Sequence, residues 1–292
     1  MNTHLAYLYL LSPLHTGGAS QEGNLVGVAR ESHTDIPYLP SSTIRGRLRA
    51  ATPDNRRSAL WGHTIDDVMQ GAIANLTQGT IWVGNGEILW FPVPSLSHGV
   101  VWITSCFLLR RWLRLSGQSL LLPEVGSFSA GNNQKLYLRD AIFSTSELRA
   151  WQDWRQYLPT GSPETRTISS ALILSDADCQ ILIKTSLWRQ VRVNLDEDKI
   201  VKGGFRYEEA IPPETLMYFP WDTTTTTKGN GANPRETAIA TEFQNLLRGC
   251  DTWQFGGQES LGRGFVELWT DQPTSGQETS TPAASTPKTS AQ

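Results

Sequence analysis

The sequence has few cysteines, little net charge and no long apolar run, and each shortage excludes a class of protein. Its three cysteines lie far apart without a Cys-x-x-Cys pair, which argues against a disulfide framework or a zinc site and for reduced, mostly buried thiols. The formal net charge of -3 means that any basic surface is local. No apolar stretch reaches the length of a membrane span, and the amino terminus lacks the basic region of a signal peptide. We therefore expect a cytoplasmic protein without a membrane segment.

The sequence has a local concentration of arginine. Residues 30–57 contain six arginines against three acids. Within them the segment 36–49, IPYLPSSTIRGRLR, stops an apolar run at Pro40 and then offers serine hydroxyls as N-caps for a helix. Helix amides and guanidinium groups together predict a phosphate site, although a solvated helix face is the alternative for any single arginine. The hydroxyls are those of Ser41, Ser42 and Thr43, and the arginines in the opening turns of the helix are Arg45, Arg47 and Arg49.

The order of elements in the first half is strand, helix, strand, strand, helix. This order is typical of the ferredoxin-like α+β fold, which RNA-recognition modules (RRM) also have, although a fold alone does not establish a function. The Gly84-Asn85-Gly86 turn gives the strongest hairpin-like signal. The predicted strands are 5–11, 80–83, 87–93 and 99–104, and the predicted helices are 41–51 and 106–115.

The rest of the chain divides into an insertion, a second helical segment and a tail. Residues 117–163 are interpreted as an insertion with one helix over about 146–157. Apolar spacing predicts a helix from Pro234 to Arg248. Residues 66–74 are expected to form a short helix or lid, 223–233 a mobile loop, and 271–292 a disordered tail after a domain of residues 1–270.

Two further segments carry arginine in an unusual setting. Residues 187–207 alternate arginine with apolar residues around a polar tip, which predicts a long hairpin with Arg192 and Arg206 on its arms. It is either a nucleic-acid contact or an exposed edge that its charge protects. In the segment 255–268, four glycines around Arg263 allow a close approach to a ligand or another backbone.

Seven motifs in order resemble the RAMP superfamily (repeat-associated mysterious proteins), and most nearly the repeated backbone subunit of type III-B, Cmr-type CRISPR effector complexes. They are SPLHTGG, RESHTDIPYLPSSTIRGRLR, LWG, GEILWFPVPS, GVVWITS, YEEAIPPETL and FGGQESLGRGFVEL. The resemblance implies a modified ferredoxin-like (RRM-like) palm with a projecting β-hairpin thumb at 187–207. It also implies that copies stack along a CRISPR RNA beside other effector subunits and position a target RNA.

The resemblance assigns RNA contacts to residues already singled out. Ser41, Ser42, Arg45 and Arg49 match the family's RNA-backbone motif, and Arg263 matches its glycine-rich loop. In the family this subunit also cleaves target RNA, with an aspartate in the loop before the Arg-Glu motif. Alignment on that motif puts Asn24 and Leu25 there, and the second family acid is replaced by Asn85.

Two functions therefore remain open from the sequence, with a third more remote. The favoured one is an RNA-binding scaffold in which catalysis is reduced or absent. The second is an endoribonuclease that uses His15 with Glu22 or Glu208 and a divalent metal, Mg²⁺ or Mn²⁺. The remote one is a stand-alone ribonuclease that processes guide RNA. An exposed member of the eleven tryptophans is also a candidate for stacking on a base or on the next subunit.

Overall fold

The structure is a computed structural model that describes residues 3–18, 21–22, 25–65, 69, 76–224 and 234–270. Asn24, the tail 271–292, and nearly all of the segments 66–74 and 223–233 lie outside the described residues.

The described chain is a mixed α/β structure with one large sheet. Its helices are α1 (Ser41–Ala51), α2 (Asp54–Trp61), α3 (Cys106–Ser116), α4 (Asp176–Thr185) and α5 (Pro234–Arg248). Its strands are β1 (His4–Leu10), β2 (Gln21–Glu22), β3 (Leu25–Val26), β4 (Ile81–Val83), β5 (Glu87–Ser95), β6 (Gly99–Ser105), β7 (Ser127–Phe128), β8 (Leu136–Tyr137), β9 (Ile142–Phe143), β10 (Arg149–Ala150), β11 (Ala171–Leu174), β12 (Trp188–Arg192), β13 (Arg206–Ala210), β14 (Leu216–Thr223), β15 (Thr252–Gln254) and β16 (Phe265–Thr270).

The large sheet is built around β1, which pairs antiparallel with β14 on one side and β16 on the other. The strand order is β10-β7-β11-β6-β5-β14-β1-β16-β15, with β4 also on β14. Side chains of a strand alternate between faces, so Ala6 and Leu8 join one apolar core while Tyr7 and Tyr9 join another. Burial on both faces explains why β1 reads as a continuous apolar run.

A smaller sheet carries the segment expected to project. Its order is β12-β13-β3-β2. The predicted hairpin at 187–207 is confirmed as an antiparallel pair, in register from Trp188 opposite Ala210 to Arg192 opposite Arg206. The remaining pair, β8 with β9, lies in the region 117–163.

The hairpin-like reading of Gly84-Asn85-Gly86 is wrong. Strands β4 and β5 do not pair with each other but follow one another along the same edge of β14. The glycine at 84 is needed because a Cβ there would lie 2.6 Å from the Pro220 side chain. The turn therefore separates two consecutive strands that pair with β14, and the chain does not reverse direction there.

The helix predicted over 146–157 is also wrong. The segment instead forms β10, which pairs parallel with β7, and then a 3₁₀ turn at Trp154–Tyr157. Trp151, Trp154 and Tyr157 are all buried, and a spacing of three residues puts Trp154 and Tyr157 on one side of the 3₁₀ turn. Packing of these rings against the aromatic core decides the local structure.

Two further segments and the cysteines also differ from their predictions. Residues 54–57, expected as a polar turn, open helix α2. Helix α4 was not anticipated, although Ser175 caps it by accepting a hydrogen bond from the Asp178 amide. Of the three thiols expected to be mostly buried, Cys179 is buried while Cys250 is exposed. Within the described ranges, no helix has the length and hydropathy of a membrane span.

Candidate functional site

Three motifs that are far apart in sequence meet where β1 ends. Leu14 and Ile211 exchange two backbone hydrogen bonds of 2.9 Å, and the Gly257 amide donates to the His15 carbonyl at 2.9 Å. The junction thereby joins the segment after β1, the end of β13 and the glycine loop. We call it the arginine junction and define it by Arg30, Arg189, Arg192, Arg206, Glu208, Glu209 and Arg263.

Glu208 is the buried centre of the arginine junction, with 0% exposure. Its carboxylate oxygens lie 3.1 Å from Arg192 Nε, 3.1 Å from Arg206 Nη2 and 3.0 Å from Arg263 Nη1. Although these nitrogens are near, no N–H among the described groups has the geometry of a hydrogen bond to either oxygen. The contact is therefore an electrostatic one, which a buried carboxylate requires because burial without an opposite charge is costly.

The side chain of Arg263 is only 4% exposed, and other residues contact it on several sides. Its guanidinium lies 4.6 Å from the centre of the Trp188 ring and donates to Gln190 Oε1 at 2.9 Å and to Gln258 Oε1. The surrounding glycine loop comes very close to the chain after β1. A Cβ at Gly256 would lie 2.3 Å from the His15 carbonyl oxygen, so that position requires glycine.

Glu209 binds a second pair of arginines on the opposite side of β13. Arg30 Nη2 and Arg189 Nε each donate to its carboxylate at 3.0 Å. Successive residues of a strand face opposite sides, so the adjacent acids Glu208 and Glu209 bind different arginines. Sequence reasoning did not assign Arg30 and Arg189 to the site, although the pairing of Arg189 opposite Glu209 across the predicted hairpin contained the signal.

The arginine junction has more positive than negative charge. Five guanidinium groups surround the two buried carboxylates. Arg189 and Arg206 remain about half exposed, at 51% and 55% of their side chains. Exposed guanidinium groups fixed by buried carboxylates form a preorganised site for an anion such as a phosphate.

A cleft of about 550 Å³ opens beside the arginine junction. Its walls include Arg30, Arg189 and Lys184 on the basic side and Tyr38 with Pro40 on the side of helix α1. The backbone around Gly17 and Gly27 also lines it. The cleft thus extends from the arginine junction to the residues just before helix α1.

The start of helix α1 differs from its prediction in detail. The N-cap is Pro40, and no side-chain hydroxyl caps the helix. Instead Asn85 Oδ1 accepts a hydrogen bond of 2.9 Å from the Ser41 amide. The predicted N-cap role of the serine hydroxyls is therefore wrong, because a side chain 44 residues away takes the first free amide.

The two helix α1 arginines that were predicted to hold phosphate have protein partners at the end of α2. Arg45 donates to the Trp61 carbonyl and lies 5.4 Å from the centre of the Trp61 ring. Arg49 donates to the Gly62 carbonyl at 2.8 Å. Burial, followed by the charge of Arg49, lowers the pKa of Arg45 from its usual value. These contacts fix the guanidinium groups and close the carboxyl end of α2.

The three candidate catalytic residues come from neighbouring segments. His15 is 6% exposed, and its Nδ1 lies 2.8 Å from the Glu209 carbonyl oxygen. Glu22 belongs to β2, which pairs with β3, and β3 runs parallel to β13 beside Glu208. Since the carboxylates of Glu208 and Glu209 are bound by arginines, they do not fit the role of metal ligands. The described residues contain no cluster of three His, Cys, Asp or Glu side chains suited to a metal ion.

Comparison with known proteins gives matches over nearly the whole chain. A family model described as the RAMP superfamily matches residues 7–267. The Cmr endoribonuclease Cmr4 of the CRISPR system of Pyrococcus furiosus is 25% identical over 293 residues, which cover 92% of this chain and 95% of that protein.

Solved structures match over a similar length. The crystal structure of oligomeric Cmr4 from Pyrococcus furiosus has a TM-score of 0.66 at 24% identity and covers 93% of this chain and 98% of that one. A chain of the type III-B Cmr-beta complex bound to cognate target RNA has a TM-score of 0.68 at 19% identity and covers 92% and 96%. At these identities the likeness establishes the mixed α/β fold with its large sheet.

Proposed function

The chain belongs to the RAMP superfamily, and from that premise we propose that it is a backbone subunit of a type III-B CRISPR effector complex. Copies of it stack along a CRISPR RNA and position a target RNA beside other effector subunits. The similar Pyrococcus furiosus Cmr4 has been solved as an oligomer, and the similar chain of Cmr-beta belongs to a complex with cognate target RNA. Both facts support this assignment.

The observation that carries the proposal is the charge surplus of the arginine junction. Arginines fixed by buried carboxylates hold phosphates whatever the base sequence, and a guide-binding scaffold has to accept any guide. The sequence-predicted residues Arg192, Arg206 and Arg263 all converge on Glu208. The formal net charge of -3 is no obstacle, since the relevant field is that of the junction.

The proposal assigns parts of the fold to the palm and thumb of the family. The large sheet with α1 and α3 is the modified ferredoxin-like palm, and the hairpin β12–β13 is the thumb. The hairpin supports this reading because apolar side chains beyond its paired region are exposed, with Ile200 at 63% and Phe205 at 57%. A soluble hairpin with such side chains at its end is suited to a contact with another surface.

The experiment that tests RNA binding removes the two partly exposed arginines of Glu208. The variant Arg192→Ala/Arg206→Ala should bind a guide-length single-stranded RNA about tenfold or more weakly, because it loses two phosphate contacts. The matched control is Arg139→Ala, since Arg139 is 48% exposed and lies outside the junction on Asp140. Equal affinity of the double variant and the control would overturn the proposal.

A second candidate function is cleavage of the target RNA, which His15 favours. With its Nδ1 proton donated to the Glu209 carbonyl, His15 Nε2 is left as the basic nitrogen, and it makes no hydrogen bond to a described residue. Such a nitrogen can take a proton from a 2′-hydroxyl. Of the predicted acids, Glu22 is the one left to assist His15, since the arginines occupy the carboxylate of Glu208, and Mg²⁺ or Mn²⁺, if bound, would supply charge stabilisation.

Cleavage is tested on the assembled complex with a complementary target RNA and Mg²⁺ or Mn²⁺. Regularly spaced cuts that disappear in His15→Ala or Glu22→Ala would make this subunit the nuclease. Tight binding without cuts, or cuts that persist in both variants, would leave it as the scaffold.

A further inference from the structure

A second cleft lies on the other side of the start of helix α1. It has a volume of about 420 Å³ and is lined by Ser41, Ser42 and Arg45 among others. The first cleft reaches Tyr38 and Pro40, so the two clefts adjoin at the peptide between Pro40 and Ser41. A single-stranded RNA that ran from the arginine junction past this peptide would enter the second cleft.

Trp82 forms an aromatic wall of the second cleft. It is the most exposed of the eleven tryptophans, at 39% of its surface, while most of the others are buried in the two cores. Its neighbours in β4, Ile81 and Val83, face the core, so the alternation of the strand points Trp82 away from it. The exposed part of the ring is therefore available for contact with another molecule.

The cleft has polar and basic walls as well as the apolar ones of Trp61, Ile81 and Val83. The Arg45 guanidinium is fixed there by the Trp61 carbonyl and ring. His63 Nδ1 lies 2.6 Å from Thr77 Oγ1, and Gln78 adds an amide. A π face beside a cation and several hydrogen-bonding groups is the chemistry that recognises a nucleobase in a single strand.

We propose that Trp82 is a stacking platform for a base of the bound RNA, with Arg45 and His63 as its polar neighbours. The proposal rests on the proposed function, since it takes the RNA to run from the arginine junction over the start of α1. It adds a contact with the face of a base to the phosphate contacts described above. Because every base has a π face, this contact also accepts any guide sequence.

The test compares the affinity of the full-length wild type and of its Trp82 variants for two RNA strands. One strand is a single-stranded RNA of adenines, and the other is the same sugar-phosphate backbone without bases. Trp82→Ala should weaken binding of the adenine strand about tenfold and leave binding of the abasic strand within about twofold. Trp82→Phe, which keeps a ring, should restore most of the affinity.

The matched control is Tyr137→Ala, because Tyr137 is an aromatic residue with the same 39% exposure on β8, outside both clefts. An equal loss on both strands, or no loss on either, would overturn the stacking platform. The first outcome would indicate a structural or protein contact for Trp82. Failure of the proposed function looks different: the wild type would not bind RNA, or Arg192→Ala/Arg206→Ala would bind as tightly as the wild type.

Discussion

At the scale of single residues, the arginine junction depends on the carboxylate of Glu208. Its three arginines come from the two arms of the hairpin and from the glycine loop. Because a like-charged group cannot stabilise another, the three guanidinium groups would repel one another without this carboxylate. Glu208 is therefore better understood as the group that positions the arginines than as a catalytic acid.

Replacing Glu208 by glutamine should destabilise the protein by about 3 kcal/mol, because it leaves the buried charge of Arg263 without its partner. The free energy of unfolding in urea measures the effect. The matched control is Glu197→Gln, which alters an exposed acid at the end of the hairpin. A loss as small as that of the control would contradict the positioning role.

Glu31, in the Arg-Glu motif, links this motif to helix α3 through a 2.7 Å ion pair with Arg111. Burial by itself raises the pKa of Glu31, but hydrogen bonds from Arg111 and Thr34 outweigh it and hold the pKa below its ordinary value of 4.5. A lowered folded-state pKa contributes stability above pH 4.5 that is lost as the pH falls through the folded value.

The variant Glu31→Gln should therefore unfold more easily than the wild type at pH 7, by about 1.5 kcal/mol for the charged hydrogen bond. The difference between the two proteins should shrink as the pH is lowered below 4.5. Denaturant unfolding at pH 7 and pH 3 measures both differences. A penalty of the same size at the two pH values would show that the charge of Glu31 is not the cause.

The sequence indicated some residues of the arginine junction but not their partners. The arms of the predicted hairpin identified Arg192 and Arg206, and the glycines identified Arg263. That these three share Glu208 depends on how β13 lies beside the glycine loop, which no local pattern encodes. Likewise, the cap of helix α1 comes from Asn85 across the fold rather than from the adjacent serines.

At the scale of elements, the start of helix α1 depends on that cap. Replacing Asn85 by alanine should cost about 1 kcal/mol of unfolding free energy, because the Ser41 amide loses its acceptor. Replacing it by aspartate keeps an acceptor and adds a favourable charge at a helix amino terminus. Thermal or urea unfolding compares the two variants, and equal stability of both with the wild type would show that the cap contributes nothing.

The hairpin provides a second prediction at this scale. Its arginines lie in the paired strands β12 and β13, whereas most of its exposed apolar side chains lie beyond the paired region. Replacing residues 194–204 by Asn-Gly closes Val193 against Phe205 with a two-residue turn. Binding of single-stranded RNA by the isolated chain should change less than about threefold, because the arginine junction remains. A tenfold loss would place the main RNA contact at the end of the hairpin instead.

Two helices with a regular apolar stripe were predicted correctly, and a segment whose structure depends on long-range packing was not. Helices α1 and α5 match their predicted bounds, because each has buried apolar residues four positions apart, Ile44 and Leu48 in α1 and Ile239, Phe243 and Leu247 in α5. The segment 146–157 has aromatic residues at a spacing that also fits a helix. Its real conformation follows from pairing with β7 and from burial of Trp151 and Trp154, which are long-range effects.

At the scale of the whole molecule, the family motifs are distant in sequence and meet around one end of β1. Antiparallel pairing of β1 with β14 and β16 brings the hairpin and the glycine loop to the same place as His15. The order of motifs allows the family to be predicted from sequence. The charge surplus of five arginines over two buried acids becomes visible only when the sheet is assembled.

The most direct test of the account is the salt dependence of RNA binding by the full-length chain. For a single strand, the slope of log K against log salt is about -0.7 per phosphate contact. If the arginine junction holds the RNA backbone, Arg192→Ala/Arg206→Ala should bind with a slope shallower by about 1.4 than the wild type, while Arg139→Ala should keep the wild-type slope. Parallel lines for all three proteins would contradict the claim that the arginine junction holds the RNA backbone.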